Sequence, residues 1–75
     1  MDLIFVLSSV TYAMKARDLL AAQGIRSELT RSAAIRKVRG CGYGLRIRAS
    51  DRGHAEHILV QAGINILGIT QEKHA

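Results

Sequence analysis

The sequence predicts a single α+β domain, residues 1–75, with the ferredoxin-like βαββαβ plait: a four-stranded antiparallel sheet with two helices on one face. Two observations predict this fold. Segments with the period of a strand and segments with the period of a helix alternate along the chain. In addition, LLAAQGI at residues 19–25 is similar to ILVQAGI at residues 58–64, which indicates that a strand–helix–strand unit occurs twice.

The first unit begins with an apolar run of strand length. Leu3–Leu7 contains no polar residue, which is typical of a central strand that is buried on both faces. Ser9 is a suitable N-cap for a helix over Val10–Gln23, and Gly24 is a C-terminal stop signal. We therefore expect a strand followed by a capped helix.

Two strands of alternating polarity follow this helix. Ile25–Thr30 and Leu45–Ala49 both alternate apolar with polar residues, so each strand is expected to have one charged face. The connection between them, residues 31–44, is long for a hairpin, and residues 32–38 within it can form one helical turn. Loops of this length in small domains commonly carry function.

The second unit repeats the pattern of the first. Ser50 is the expected N-cap of a helix in which apolar residues recur at i, i+3, i+4 and i+7 from Ala55. Gly63 is expected to end this helix, and Ile64–Ile69 supplies the last strand.

Composition and charge narrow the functional classes. The apolar fraction of 48% and the charged fraction of 23% are typical of a folded globular chain. The formal charge of +5 favours an anionic or acidic partner. No apolar run approaches the roughly 20 residues that span a bilayer, and the first residues lack the basic start of a secretory signal. We therefore expect a cytoplasmic protein that does not bind membranes.

The only cysteine of the chain lies in a cationic, glycine-rich segment, RKVRGCGYGLRIR at residues 36–48. Nearby cations lower the pKa of a thiol, and the N–H groups of a glycine-rich turn can converge on an anion. We therefore predict that Cys41 is a partly exposed, reactive thiolate. The other predicted site residues are the anion-stabilising Gly40, Gly42, Gly44 and Arg46 and the partner-docking Arg36, Lys37, Arg39 and Arg48.

Other chemical sites have less support in the sequence. The G-C-G-Y-G pattern precedes a strand instead of opening a helix, so it is not a dinucleotide fingerprint. His54 and His57 lie one helical turn apart, but no further ligand is close in sequence, so we expect solvated histidines, no metal and no cofactor. Nothing in the sequence brings a histidine base to Cys41, which disfavours a cysteine hydrolase.

Two non-catalytic classes stay open. One is a small regulatory or protein-interaction module, because the fold does not determine function. The other is a basic RNA-binding module, which is less favoured because Arg46 and Arg48 hold strand positions where ferredoxin-like RNA binders carry stacking aromatic residues. Cys41 would be dispensable in both classes.

The segment CGYGLRIRASDRGHAEHILVQAGINILGI, residues 41–69, resembles a family of short bacterial proteins, the selenium/sulfur carrier-like proteins. The strand and Ser-capped helix at the start of the chain extend the resemblance. Its most diagnostic part is Cys41-Gly42, two further residues, and then Leu45-Arg46. The chain departs from the family in having cations and no proline ahead of the cysteine.

The resemblance implies a carrier rather than a turnover enzyme. The thiolate would attack a persulfide or a selenium-loaded cysteine of a donor, keep the terminal atom as Cys–S–S⁻ or Cys–S–Se⁻, and pass it to an acceptor. The implied partners are donor and acceptor proteins, and the fold also allows a homodimer. Nucleic acid is not an expected partner.

Overall fold

The computed structural model describes residues 2–31 and 43–72, so the predicted helical turn at residues 32–38 lies outside it. The elements are β1 (Asp2–Leu7), α1 (Val10–Ala22), β2 (Glu28–Thr30), β3 (Tyr43–Arg48), a 3-10 helix (Ala49–Asp51), α2 (Arg52–Gln61) and β4 (Gly68–Glu72). The strands form one antiparallel sheet in the order β2-β3-β1-β4. This is the order of a ferredoxin-like plait, so the predicted fold class is confirmed.

The core lies between the sheet and the two helices, and β1 runs through the middle of the sheet. Alternate residues of β1 and β3 pack there against buried residues of both helices, and the buried members of this cluster are Leu3, Phe5, Leu7, Ala13, Ala16, Leu20, Ile25, Leu45, Ile47, Ala55, Leu59 and Ile64. Ile4 and Val6 lie on the opposite face of β1 and are also fully buried, with Leu67 packed against them. The prediction that this strand is buried on both faces is therefore confirmed.

The N-terminus of α1 is capped as the sequence predicts. Ser9 has an extended backbone, and its hydroxyl oxygen accepts a hydrogen bond of 3.3 Å from the N–H of Tyr12. A serine in this position satisfies one of the backbone donors that the first turn of a helix leaves unpaired.

Both helices end in the same hydrogen-bonded turn. After α1, Gly24 adopts a φ of +78°, and the N–H of Ile25 donates to the carbonyl of Leu20 at 2.9 Å. After α2, Gly63 adopts a φ of +75°, and the equivalent bond from Ile64 to Leu59 is also 2.9 Å. These are Schellman motifs, in which glycine is favoured because its backbone tolerates a positive φ. The internal repeat seen in the sequence is therefore a repeat of backbone structure.

Because of these turns, two strands begin later in the chain than the sequence predicts. Ile25 and Ile64 are buried as the apolar contacts of the Schellman motifs, so each still belongs to the end of its helix. As a result β2 begins at Glu28 instead of Ile25, and β4 begins at Gly68 instead of Ile64.

Two further boundaries differ from the prediction. β3 begins at Tyr43 instead of Leu45, because Tyr43 and Gly44 pair in register with the last two residues of β1. Ser50 is not the N-cap of α2. It lies in the 3-10 helix, and Asp51 occupies the N-cap without a side-chain capping bond. Within the described ranges, no helix is long and apolar enough to cross a bilayer.

Candidate functional site

Strand β3 carries the described part of the predicted site, namely Gly44, Arg46 and Arg48. The remaining six predicted residues lie outside the described ranges: Arg36, Lys37, Arg39, Gly40, Cys41 and Gly42. Cys41 precedes Tyr43, the first residue of β3, by two positions. Two residues of extended chain span at most about 7 Å. The start of β3 is therefore the described part of the chain that is closest to Cys41 in the sequence.

Arg46 points to the face of the sheet opposite the helices, which we call the open face, and it forms an ion pair there. Its Nη1 atom lies 3.1 Å from Oε2 of Glu28, the residue opposite it on β2. The side chain of Arg46 is 28% exposed and that of Glu28 is 71% exposed. An ion pair with one partner in so exposed a position contributes at most about 1 kcal/mol.

Gly44 lies within β3 instead of in the loop ahead of it. It is buried and is in register with Thr30 of β2 on one side and Val6 of β1 on the other. Because β3 has a strand on each side, the N–H of Gly44 is directed at a neighbouring strand. Gly44 is therefore part of β3, and the anion-stabilising role predicted for Gly40, Gly42 and Gly44 stays a prediction.

A contact between Arg31 and Tyr43 was not foreseen from the sequence. The guanidinium carbon of Arg31 lies 5.0 Å from the centroid of the Tyr43 ring, which is a cation–π distance. The two residues come one step beyond the Thr30–Gly44 register pair, so the antiparallel pairing brings them together. The one feature of the sequence that could have indicated this contact is that Arg31 and Tyr43 directly flank residues 32–42.

Residues 2–71 match the family model described as "Putative Se/S carrier protein-like". The chain belongs to this family. The match covers nearly the whole chain, including Cys41 and the residues of β3, and it confirms the resemblance inferred from the sequence. No curated protein and no solved structure matches the chain.

The open face of this Se/S carrier-like protein does not offer bases a stacking surface. The aromatic residues of the chain are Phe5, Tyr12 and Tyr43. Phe5 and Tyr43 belong to the helix-facing core, and Tyr12 lies on α1. Ferredoxin-like RNA binders stack bases on aromatic residues of their inner strands, and here those positions of β1 and β3 hold aliphatic residues, glycine and arginine. The geometry therefore gives no support to the RNA-binding alternative.

The histidines of α2 belong to no metal-binding cluster among the described residues. His54 and His57 are both exposed, as is typical of residues on a solvated helix face. Within residues 2–31 and 43–72, no group of three or more histidine, cysteine, aspartate and glutamate side chains is arranged to hold a metal ion.

Proposed function

We propose that this protein carries one sulfur or selenium atom on Cys41 and relays it from a donor protein to an acceptor protein. The observation that carries the proposal is the family match, which spans Cys41 in a chain that has no other cysteine. A single thiol is sufficient for a relay, because the carrier needs only one atom to hold the cargo.

The loading step is a thiol–disulfide exchange. The thiolate of Cys41 attacks the terminal sulfur of a donor persulfide, and a new S–S bond forms to the Sγ atom of Cys41. The original S–S bond of the donor breaks at the same time, and the donor leaves as a thiolate. Delivery repeats the exchange with an acceptor thiolate as the attacking group. Selenium as the terminal atom undergoes the same exchange.

Charge near the thiol supports this chemistry. Arg31 lies beside Tyr43, the first residue of β3, and Tyr43 follows Cys41 by two positions in the sequence, so we propose that the Arg31 guanidinium acts on the thiol. A cation in that position favours both the thiolate and the loaded anion. Backbone N–H groups of Gly40 and Gly42 are proposed to add to this stabilisation.

The roles of the other cations follow from their positions in the chain. Arg36, Lys37 and Arg39 immediately precede the thiol and are proposed to dock acidic donor and acceptor surfaces. Arg46 lies about 10 Å beyond Tyr43 along β3 and is proposed to exchange Glu28 for a bound anion. Arg48 lies about 16 Å beyond Tyr43, which is far for direct contact with the thiol.

The test is the intact mass of the reduced protein before and after reaction with a cysteine desulfurase or a selenocysteine lyase and its substrate. We expect an increase by one sulfur or selenium atom that disappears on reduction and on addition of an acceptor protein. Cys41→Ser is the matched control and should show no increase. Failure to load from several donors, with Cys41 shown to be reduced and accessible, would overturn the proposal in favour of an interaction module.

A further inference from the structure

A second polar site lies at the other end of the β2–β3 pair, away from Tyr43. Here the sheet has a groove of about 380 Å³. Its polar lining consists of Asp2, Arg26, Ser27, Glu28, Arg46 and Arg48. A volume of this size falls in the range of small-ligand pockets and equals that of about a dozen water molecules.

The register of the sheet explains why the groove opens at this point. The last pair of the β2–β3 ladder at this end is Glu28 with Arg46. Extending the ladder by two residues in the same register would set Arg26 directly opposite Arg48 on the open face. Like charges directly opposite each other destabilise a sheet, so the two chains have an electrostatic reason to separate beyond Glu28. Arg26 and Arg48 both line the groove at this end of the ladder.

Two arginines that line the groove form no ion pair with a carboxylate of the described residues. Glu28 forms an ion pair with Arg46, with 3.1 Å between Oε2 and Nη1, and Asp2 also has an interaction partner. Arg26 and Arg48 are exposed and make no ion pair within the described part of the chain. An anion that sits between these two guanidiniums would relieve their repulsion and form charge-assisted hydrogen bonds with both.

Ser27 also lines the groove. Its Oγ atom is buried and has no hydrogen-bond partner in the described part of the chain. Buried hydroxyls are rarely left unpaired, because the lost hydrogen bond with water is not replaced. In the register of the ladder Ser27 lies opposite Ile47, on the helix-facing side of the sheet, so its hydroxyl is not counted among the groups that bind an anion between Arg26 and Arg48.

We infer that this groove binds an anion of the phosphate class between Arg26 and Arg48. Planar guanidinium groups match the oxygen atoms of a phosphate in bidentate geometry. The groove also has space beyond one phosphate group, so the anion can be inorganic phosphate or the phosphate of a small phosphomonoester. The inference does not depend on the carrier role of Cys41.

The experiment is a titration of the isotopically labelled full chain with inorganic phosphate, and separately with methyl phosphate, followed by amide chemical shifts. Ionic strength is held constant with chloride so that general screening does not change. We expect saturable shifts centred on residues 26–28 and 46–48, with a Kd on the order of 1 mM or tighter. Tighter binding of methyl phosphate identifies an organic phosphate as the better ligand, and tighter binding of inorganic phosphate identifies the free ion.

Matched variants separate a built site from general attraction to a basic protein. Arg26→Gln and Arg48→Gln should each weaken binding about tenfold, the loss expected for one charge-assisted interaction. Arg17→Gln removes an equal charge from α1, outside the groove, and should leave the Kd unchanged. In the unaltered protein, Nε of Arg17 lies 3.9 Å from Oδ1 of Asp18. Cys41→Ser should also bind normally, so failure of the carrier proposal would not be mistaken for failure of this one.

Three results would overturn the inference. They are shifts that do not saturate, shifts centred outside the groove, and equal weakening by Arg17→Gln and Arg26→Gln. Circular dichroism of each variant checks that it is folded. Arg26→Lys keeps the charge but loses the planar fork, and it should weaken binding less than Arg26→Gln does.

Discussion

The guanidinium of Arg31 lies over the ring of Tyr43, 5.0 Å from its centroid, and the two residues directly flank residues 32–42. Cation–π contacts at exposed sites contribute about 0.5–1 kcal/mol. The contact therefore keeps a permanent positive charge at the start of β3, where one residue, Gly42, separates Tyr43 from Cys41 in the sequence. We propose that this charge acts on the thiol of Cys41.

The first prediction concerns that charge. Arg31→Gln should slow the alkylation of Cys41 at pH 7 about threefold, since loss of a neighbouring cation raises the thiol pKa by about half a unit. The measurement is the second-order rate constant with iodoacetamide. Arg17→Gln removes the same formal charge from α1 and should leave the rate unchanged. Equal effects of the two variants would show that only net charge matters.

The second prediction compares two glycines near the ends of α2. Gly63 has a φ of +75°, so Gly63→Ala should lower the free energy of unfolding by about 1–2 kcal/mol. Gly53 lies inside the helix, and a Cβ added there meets no atom within 4 Å. Gly53→Ala should therefore raise the free energy of unfolding by up to about 1 kcal/mol. Urea unfolding curves measure both, and a Gly63→Ala variant that is as stable as the unaltered protein would contradict the assignment of the Schellman turn.

The third prediction concerns the pair between Arg46 and Glu28. Glu28→Gln should change the free energy of unfolding by less than about 1 kcal/mol, because the pair is solvated. The same change frees one interaction of Arg46, so loading of Cys41 should become faster, whereas Arg46→Ala should slow it. Circular dichroism and intact mass report folding and loading on the same samples. If both variants load at the normal rate, Arg46 does not hold the loaded anion.

Much of the fold could be predicted because local signals decide it. Ser9 and Gly24 fix the ends of α1 through hydrogen bonds to residues within five positions, and such bonds depend on local sequence. The errors at β2 and β4 have a local cause too. An isoleucine after a helix-ending glycine fits a strand pattern equally well whether it begins a strand or completes a Schellman turn, and Ile25 and Ile64 do the latter.

The site was harder to predict because its contacts depend on register. Arg46 was expected to face an anion, but its position opposite Glu28 is set by the pairing of β2 with β3, which joins residues 18 positions apart. The contact between Arg31 and Tyr43 has the same origin. Nothing in the local sequence of either partner specifies which residue of the neighbouring strand it meets.

The final prediction is that Cys41 is more acidic in the folded protein than a free thiol. The segment around it carries several cations, glycines flank it on both sides, and Arg31 adds a fixed charge at the start of β3. All of these favour the thiolate, so the pKa should fall below the free value of about 8.5. The pH dependence of iodoacetamide alkylation measures it, and the reading is unambiguous because the chain has one cysteine. The same protein in concentrated urea supplies the matched reference, in which the midpoint should return toward the free value. A folded midpoint equal to the unfolded one, or above it, would show that the charges around Cys41 do not act on the thiol.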